Sequence, residues 1–478
     1  MGCGFFKSDY IFATQFLFAG ELCGFFMEVY MEKLMMKEKS IVKLVLIMSL
    51  PNVLSMLVNS MYNIVDSFFV AKISENAMTA LSLVFPMQNL VTSIGVGFGV
   101  GINALIALNL GANKKEQADC ATSYGVLLSL IHGILLTVGC ILLMPSFLRL
   151  FTSNQEVLLL GEEYSNVAFL FCISVNVGIA LEKIFQAVGN MKTSMLVMIT
   201  GCVINIILDP IFIFGYGIFP AMGIAGAALA TGIGQSTILL LYIIIYQKKK
   251  LPVQISPKFL SYGKPIKKLY FIGVPATLNM ALPSLLISFL NRILTAYSQI
   301  YVVILGIYYK LQTFVYLPAN GIIQGIRPLI SFNYGAKEHK RVQRIYHTAL
   351  VFSLIIMFIG TILCAFFPAE LMGMFTTNSD TISQGKIALQ IISIGFMISA
   401  VSITTCGALE ALGEGLASLI ISALRYIIFI VPIAFFLSHL IGAKGVWHSF
   451  WITEFLACVI SYLLYKKYFH FKSKSCSK

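Results

Sequence analysis

The residues with the clearest chemical potential are acids that interrupt apolar segments. Asp66 lies well inside such a segment, with Tyr62 one helical turn before it and Asn59 and Asn63 at helical spacing. Ionisable side chains within a membrane are costly, and they usually mark ion pathways or proton sites. We therefore expect this polar stripe to face protein or water rather than lipid.

A second acid, Asp209, has Asn205 one turn before it and Pro210 directly after it. Because proline cannot donate a backbone hydrogen bond, the carbonyl of Ile206 loses its helical partner. A carboxylate, an amide oxygen and a free carbonyl together are suitable ligands for a hard cation or a proton. Burial and mutual repulsion between Asp66 and Asp209 favour reversible proton binding. The simpler alternatives are a kink satisfied by water at Asp209 and a protonated Asp66 that joins two helices.

The remaining acids are weaker candidates. Glu182 adjoins Lys183, which favours a snorkelling ion pair, and Glu410 and Glu414 are expected to face the cytoplasm. Glu454 lies within an apolar segment without an evident role. Three bases also lie within apolar segments: Arg292, Lys310 and Arg327.

Enzyme chemistry has no support in the sequence. The histidines lack a metal-ligand partner at useful spacing, the ten cysteines include no CxxC pair, and no HExxH, GxSxG or Walker-type motif is present. We expect no enzymatic activity, no bound metal other than a coupling Na⁺, and no cofactor.

The elements that position these residues are membrane-spanning helices. Hydrophobic residues make up 58% of the 478 residues and charged residues only 11%, and about 20 apolar residues suffice to span a bilayer. Since lipid cannot satisfy an open backbone, the spans are expected to be helices. We predict an all-α polytopic membrane protein with twelve spans, near 49–71, 81–108, 119–143, 158–186, 192–215, 223–246, 271–296, 303–330, 344–366, 381–408, 415–437 and 443–465.

The net charge of +13 reflects topology rather than nucleic-acid binding. With residues 1–48 in the cytoplasm, the inward connections and the C-terminal tail hold 19 lysines and arginines, and the outward loops hold 4. This asymmetry follows the positive-inside rule, so both termini are predicted to lie in the cytoplasm of a multi-pass protein of the cell (inner) membrane.

The chain also repeats itself at an offset of 224 residues. The repeated residues are mostly of types that random apolar sequence would not align, namely Pro51/Pro275, Gln88/Gln312, Gly97/Gly321, Gly101/Gly325, Asn109/Asn333, Gly111/Gly335, Phe151/Phe375, Asn154/Asn378 and Gly189/Gly413. Each repeat holds six spans, so both insert in the same orientation as parallel repeats. Such repeats favour a transporter with substrate between its two halves.

This repeat divides the chain into five predicted regions. They are an N-terminal segment of open status (1–40), a first six-helix lobe (41–246), a cytoplasmic linker (247–268), a second six-helix lobe (269–465) and a basic tail (466–478). The first region contains an apolar stretch too short to span a membrane, and Met31, Met35 or Met36 could begin the protein proper.

Several segments resemble the multidrug and toxic compound extrusion (MATE) family. They are 62–70 (YNIVDSFFV), 205–214 (NIILDPIFIF), 223–231 (GIAGAALAT), 325–336 (GIRPLISFNYGA) and 408–415, the last together with Arg425 and Pro432. The likeness covers roughly residues 41–465 and is greatest for the DinF-type branch with its MepA-like exporters. It implies twelve helices in two lobes around a central cavity, which exchange organic cations for Na⁺ or H⁺.

The resemblance also implies specific residues. In the DinF-type branch the coupling site lies in the first lobe, which carries over to Asp66, Asn205 and Asp209, with Tyr62 and Thr231 as further members. Pro51 matches a first-helix proline associated with bending, and Pro210 follows the second acid. Glu182, Lys183 and Gln186 depart from the family pattern of two asparagines and an arginine, so the substrate range is expected to differ.

The sequence therefore predicts an antiporter that exports cationic, lipophilic, drug-like molecules in exchange for H⁺ or Na⁺. Its expected partners are these small molecules and the lipid bilayer, with no nucleic acid, and a monomer is the expected state. One alternative is a flippase for lipid-linked oligosaccharides from the same superfamily, which Arg292, Lys310 and Arg327 would favour. A second alternative is a membrane scaffold or receptor without transport activity.

Overall fold

The chain is a bundle of long apolar helices. The computed structural model describes residues 40–261 and 265–475. Within these ranges, eleven helices are long and apolar enough to cross a membrane, and one bent helix pair supplies a twelfth span. The prediction of an all-α polytopic membrane protein is confirmed. The prediction about the N-terminal segment falls outside the described residues, apart from Ser40.

Seven helices form the first half of the bundle. They are α1 (Ile41–Ala71), α2 (Glu75–Gly111), α3 (Lys115–Arg149), α4 (Gln155–Leu170), α5 (Cys172–Ala187), α6 (Met191–Phe214) and α7 (Gly223–Lys248). The predicted continuous span 158–186 is instead bent by 44° between α4 and α5. The Phe171 ring at this break lies where a side chain on Gly232 would otherwise be, so α7 accommodates the bend.

The second half follows a short 3₁₀ helix at Pro257–Ser261. It comprises α8 (Ile266–Thr295), α9 (Gln299–Gly335), α10 (His339–Phe366), α11 (Pro368–Gly373), α12 (Ser379–Ala411), α13 (Gly415–Ala423), a π-helical turn (Leu424–Phe429), α14 (Ile430–Ile441) and α15 (Ala443–Ser475). The last helix continues beyond residue 465, where its span was predicted to end.

The repeat extends to the geometry of the helix ends. Helices α2 and α9 begin and end 224 residues apart, and so do the C-terminal ends of α5 and α12. Two serines, Ser74 and Ser298, are matching N-caps that accept backbone hydrogen bonds from the first turns of α2 and α9. Such caps satisfy amide groups that a helix start leaves without partners. The polar residues that repeat in the sequence therefore specify where helices start and stop.

The two halves share one apolar core, and each half also has an apolar core of its own. One cluster, which includes Val70 and Phe169, lies wholly in the first half, and another, which includes Leu290 and Trp447, lies wholly in the second. A third cluster combines residues of both halves with Val253 of the connection between them. We call the end that carries this connection the linker end. The halves thus share one apolar core at the linker end, and toward the opposite end each half has an apolar core of its own.

Glycine allows this close packing at the linker end. A Cβ on Gly111 would come within 1.9 Å of the Phe332 carbonyl oxygen, and a Cβ on Gly335 within 2.0 Å of the Leu108 carbonyl oxygen. These contacts are reciprocal between α2 and α9, and both glycines belong to the 224-residue repeat. Any side chain would separate the helices, because the obstacle on each side is backbone.

Candidate cation site

Helices α1 and α6 bring Asp66 and Asp209 together inside the first half. The exposed fraction of Asp66 is 8% and that of Asp209 is 0%. Their charges lie close enough to repel each other. Two buried carboxylates in one site cannot both remain ionised without a compensating cation, so this arrangement favours uptake of a proton or a metal cation.

Asn205 organises the site from one turn below Asp209 on α6. Its amide nitrogen Nδ2 donates to Asp209 Oδ1 at 3.3 Å and to Thr231 Oγ1 of α7 at 3.1 Å. Helix α6 continues through Pro210 to Phe214, which keeps Asn205 and Asp209 on one face. Because the amide donates to protein atoms, its carbonyl oxygen is left to face the site.

Three buried oxygen atoms in this site have no hydrogen-bond partner. They are Asp66 Oδ1, Asn205 Oδ1 and Asp209 Oδ2. Within residues 40–261 and 265–475, no lysine, arginine or histidine forms a salt bridge with either aspartate. Buried acceptors without donors are costly unless a proton, a cation or water satisfies them. Their oxygen chemistry is that of Na⁺ and H⁺ ligands.

A small cavity lies beside Asn205 between α1, α6 and α7. Its volume is about 10 Å³, and its lining includes Tyr62, Cys202, Asn205, Thr231 and Gln235. This is room for about one water molecule or a small ion. Tyr62, Asn205 and Thr231 line this cavity, Asp209 accepts a hydrogen bond from Asn205, and Asp66 lies near Asp209. The role of these five residues in coupling stays a prediction.

Two residues near the site were missed by the sequence analysis. Gln88 of α2 donates from Nε2 to the hydroxyl of Tyr164 on α4 at 3.0 Å. Tyr164 is 2% exposed and interacts electrostatically with Asp66, Asp209 and Tyr62. The return of Gln88 as Gln312 was the available signal, but sequence spacing could not show that α2 and α4 reach the acids.

The residues of the predicted polar stripe on α1 are not buried together. Asn63 is exposed, and its side chain donates to the Asn59 carbonyl at 2.7 Å within the same helix. Only Asp66 of the stripe is buried. Pro51 is also buried in α1, which runs through it without a break, so the proposed conformational roles of Pro51 and Pro210 stay predictions.

The Glu182–Lys183 ion pair is present, but it is buried rather than snorkelling. Lys183 Nζ lies 3.1 Å from Glu182 Oε1, and the two side chains are 6% and 13% exposed. The same ammonium donates to Gln186 Oε1 at 3.0 Å and to Gln324 Oε1 of the second half at 3.2 Å. Lys183 thus links the two halves across their interface. Sequence spacing gave no indication of this contact, because Lys183 and Gln324 lie 141 residues apart.

The expectation that Glu410 faces the cytoplasm is wrong. Glu410 is 3% exposed, and Arg327 Nη2 of α9 lies 2.6 Å from its Oε2 atom. Asn279 and Ser418 donate to its Oε1 atom at 2.9 and 3.1 Å. The sequence placed Glu410 near the end of its helix, but only the packing of α8, α9 and α13 around α12 shows that this helix end is buried.

Glu454, which had no evident role, forms the second ion pair of this half. Arg425 Nε donates to Glu454 Oε1 at 2.7 Å, and Ser402 Oγ lies 3.5 Å from Glu454 Oε2. The other two bases are not part of such a pair among the described residues. Arg292 and Lys310 are exposed, and Lys310 lies over the Phe375 ring at 5.8 Å.

Comparison with known proteins identifies the relatives of this architecture. The MatE family model matches residues 51–211 and again 275–436. The multidrug export protein MepA of Staphylococcus aureus (strain MSSA476) is 27% identical over 437 residues, which cover 91% of this chain and 95% of the relative. MepA of Staphylococcus saprophyticus is 26% identical, covering 90% and 94%.

Two solved structures have the same fold. One is described as the outward-facing conformation of a multidrug resistance MATE family transporter of the MOP superfamily, with a TM-score of 0.86, 24% identity and coverage of 92% of this chain and 98% of that chain. The other is a MOP superfamily transporter from Pyrococcus furiosus whose reversed pocket polarity suggests a different function, with a TM-score of 0.85, 24% identity and the same coverage. The twofold match of the family model, together with this fold, shows that the chain belongs to the MatE family of membrane transporters and is not an enzyme.

Proposed function

We propose that this chain exports small organic compounds, mainly cationic and lipophilic, in exchange for H⁺ or Na⁺ bound in its first half. The names of its MepA relatives support multidrug export. The coupling proposal is carried by one observation, the three buried oxygens of Asp66, Asn205 and Asp209 that lack a donor. A transporter that exchanges cargo for a cation needs acidic oxygens of this kind that are not already paired with a lysine or an arginine.

The site supports a cycle of competition between cation and cargo. With the cavity between the halves open outward, Asp66 and Asp209 take up H⁺ or Na⁺, which removes their mutual repulsion. The first helix then rearranges near Pro51 and the cargo leaves. After the inward transition the cation leaves toward the cytoplasm and new cargo binds. An inward-negative membrane potential assists cation entry by about 2.3 kcal/mol per charge per 100 mV.

The cellular arrangement is part of the same proposal. We place both termini in the cytoplasm, because the basic residues concentrate in the connections on that side. The linker end of the bundle is then cytoplasmic. We further propose lobes at 41–246 and 269–465, joined by the linker 247–268, and a monomer as the functional unit, since one chain contains both repeats.

A lipid-linked oligosaccharide flippase is the weaker alternative. Recognition of a pyrophosphate group would need unpaired basic residues between the halves. Arg327 and Arg425 are instead neutralised by Glu410 and Glu454. Arg292 and Lys310 are exposed and outside such pairs among the described residues, so they are the two bases left to favour an anionic cargo.

Ethidium efflux from cells that express the chain tests the proposal. We expect Asp66→Asn and Asp209→Asn to abolish efflux, because neither amide can bind a proton or a cation by charge. Asp380→Asn is the matched control, since it makes the same chemical change at an exposed helix start. Replacing Na⁺ and adding a protonophore in separate arms identifies the driving cation.

The outcomes separate the candidate functions. Normal efflux by both correctly inserted aspartate variants would refute the first-half coupling site. Absence of efflux by the wild-type chain would instead refute export of this cationic dye. In that case, translocation of a fluorescent lipid-linked saccharide in proteoliposomes decides between the flippase and a scaffold without transport.

A further inference from the structure

The second half has a buried arginine at the position that corresponds to a glycine of the first-half cavity. The 224-residue offset relates Gly201, which lines the first-half cavity, to Arg425. The helices correspond as well, since α6 begins at Met191 and α13 at Gly415. Where the first half has a glycine beside a cavity, the second half therefore has an arginine.

The Arg425 guanidinium is held as a cation would be held. Its Nε and Nη2 atoms both donate to Glu454 Oε1, and the Arg425 and Glu454 side chains are 7% and 12% exposed. Ser402 Oγ lies 3.5 Å from the other carboxylate oxygen. A buried carboxylate with a fixed positive partner has no need of an exchangeable one.

The surroundings of this pair are rich in hydroxyl groups. The Tyr309 hydroxyl is buried without a hydrogen-bond partner, and Tyr316 and Ser399 share a hydrogen bond of 2.7 Å. Both tyrosines lie near Arg425 and Glu454. Oxygen ligands are thus available around Glu454 in addition to its own carboxylate.

Local backbone geometry directs Arg425 to this position. It lies in the π-helical turn Leu424–Phe429, whereas the corresponding part of α6 is regular α-helix. A π-helical turn inserts an extra residue in a helical turn and changes the direction of the side chains, and such turns often occur at functional sites. At this position the two halves therefore differ in backbone geometry as well as in sequence.

We propose that Arg425 is a tethered cation that occupies the second-half counterpart of the cation site, and that Glu454 is a binding site for a small monovalent cation which Arg425 keeps closed. The number of cations exchanged per cycle is then set by the first half alone. The consequence for the number of exchanged cations rests on the proposed function. The closed site does not rest on it, because cation binding to Glu454 can be measured at equilibrium without transport.

Tryptophan fluorescence of the purified full-length protein gives a direct test. The chain has two tryptophans, Trp447 and Trp451, and both lie within two turns of Glu454 on α15. We expect Arg425→Gly, which reproduces the first-half residue, to show a saturable change in emission with added Na⁺ or with acidification in Na⁺-free K⁺ buffer. The wild-type protein is expected to lack this change, and the two titrations distinguish Na⁺ from H⁺.

Two variants control the experiment. Arg425→Gly combined with Glu454→Gln removes the carboxylate and should lose the new response, and Arg425→Lys retains a tethered positive charge and should behave as wild type. If Arg425→Gly does not yield folded protein, Arg425→Gln removes the charge with less loss of packing. A folded neutral variant that titrates as wild type does would overturn the proposal and leave the pair a structural salt bridge. Loss of efflux in the Asp66 variant has no bearing on this result.

Discussion

The two halves share one helical plan, but two buried acids of the first half and two of the second have different surroundings. In the first half, Asp66 and Asp209 lie together without a salt-bridge partner among the described residues. In the second half, Glu410 and Glu454 each bind a buried or partly buried arginine. The second arrangement is already neutral, whereas the first is the one to which we assign the proposed uptake and release of a cation.

The positions that correspond to the first-half acids show the same contrast. The 224-residue offset relates Asp66 to Leu290, which is fully buried in the apolar core of the second half. It relates Asp209 to Ile433. Turn and interface residues are thus preserved between the halves, and the polar interior is not. The fold constrains the former, while each half is free to differ in the latter.

The largest expected effect is a loss of stability in Glu454→Gln, which we compare with a loss of transport in Asp209→Asn. Glu454→Gln leaves the Arg425 guanidinium buried without a counter-charge, and we expect a loss of about 3–5 kcal/mol in the free energy of unfolding. Asp209→Asn removes a buried charge that has no salt-bridge partner among the described residues, so it should retain stability while it abolishes efflux. Thermal unfolding of both purified variants in the same detergent measures the difference. Equal destabilisation by the two substitutions would contradict the distinction between the halves.

A smaller effect is expected at the other ion pair. Glu410→Gln keeps an acceptor for Asn279 and Ser418, and Arg327 is 18% exposed and can be partly hydrated. We therefore expect a loss of about 1–3 kcal/mol in the free energy of unfolding. The double variant Arg327→Gln/Glu410→Gln should recover part of that loss, because no charge is left unpaired. Strictly additive losses would show that the two side chains do not stabilise each other.

The smallest effect sharpens the description of the first-half site. Thr231→Val preserves the shape of the side chain but removes the acceptor that holds the Asn205 amide. We expect the cation concentration for half-maximal efflux to rise about 2- to 10-fold, as for the loss of one hydrogen bond. Thr231→Ser keeps the hydroxyl and is the control. An unchanged cation dependence in Thr231→Val would remove Thr231 from the site.

Sequence reasoning was most successful where a constraint is local. The length and apolarity of the spans follow from the thickness of the bilayer. The glycines that repeat in the sequence lie at helix ends and close contacts in the structure. Asn205 and Asp209 could be placed on one face because they are one turn apart. The bend at Phe171 and the π-helical turn at Leu424–Phe429 were missed, because neither segment contains a proline or a run of glycines that would predict it.

What the sequence determined by itself is the membrane-spanning helical class, the internal repeat, the family, and the pair of first-half acids. These depend on composition, on periodicity and on residues close together in the chain. The tertiary structure alone decided which charges are paired, because Arg327 reaches Glu410 across 83 residues and Arg425 reaches Glu454 across 29. It also showed that Lys183 contacts the opposite half. Whether a buried charge is free to bind a cation depends on partners that only the packing of distant helices brings near.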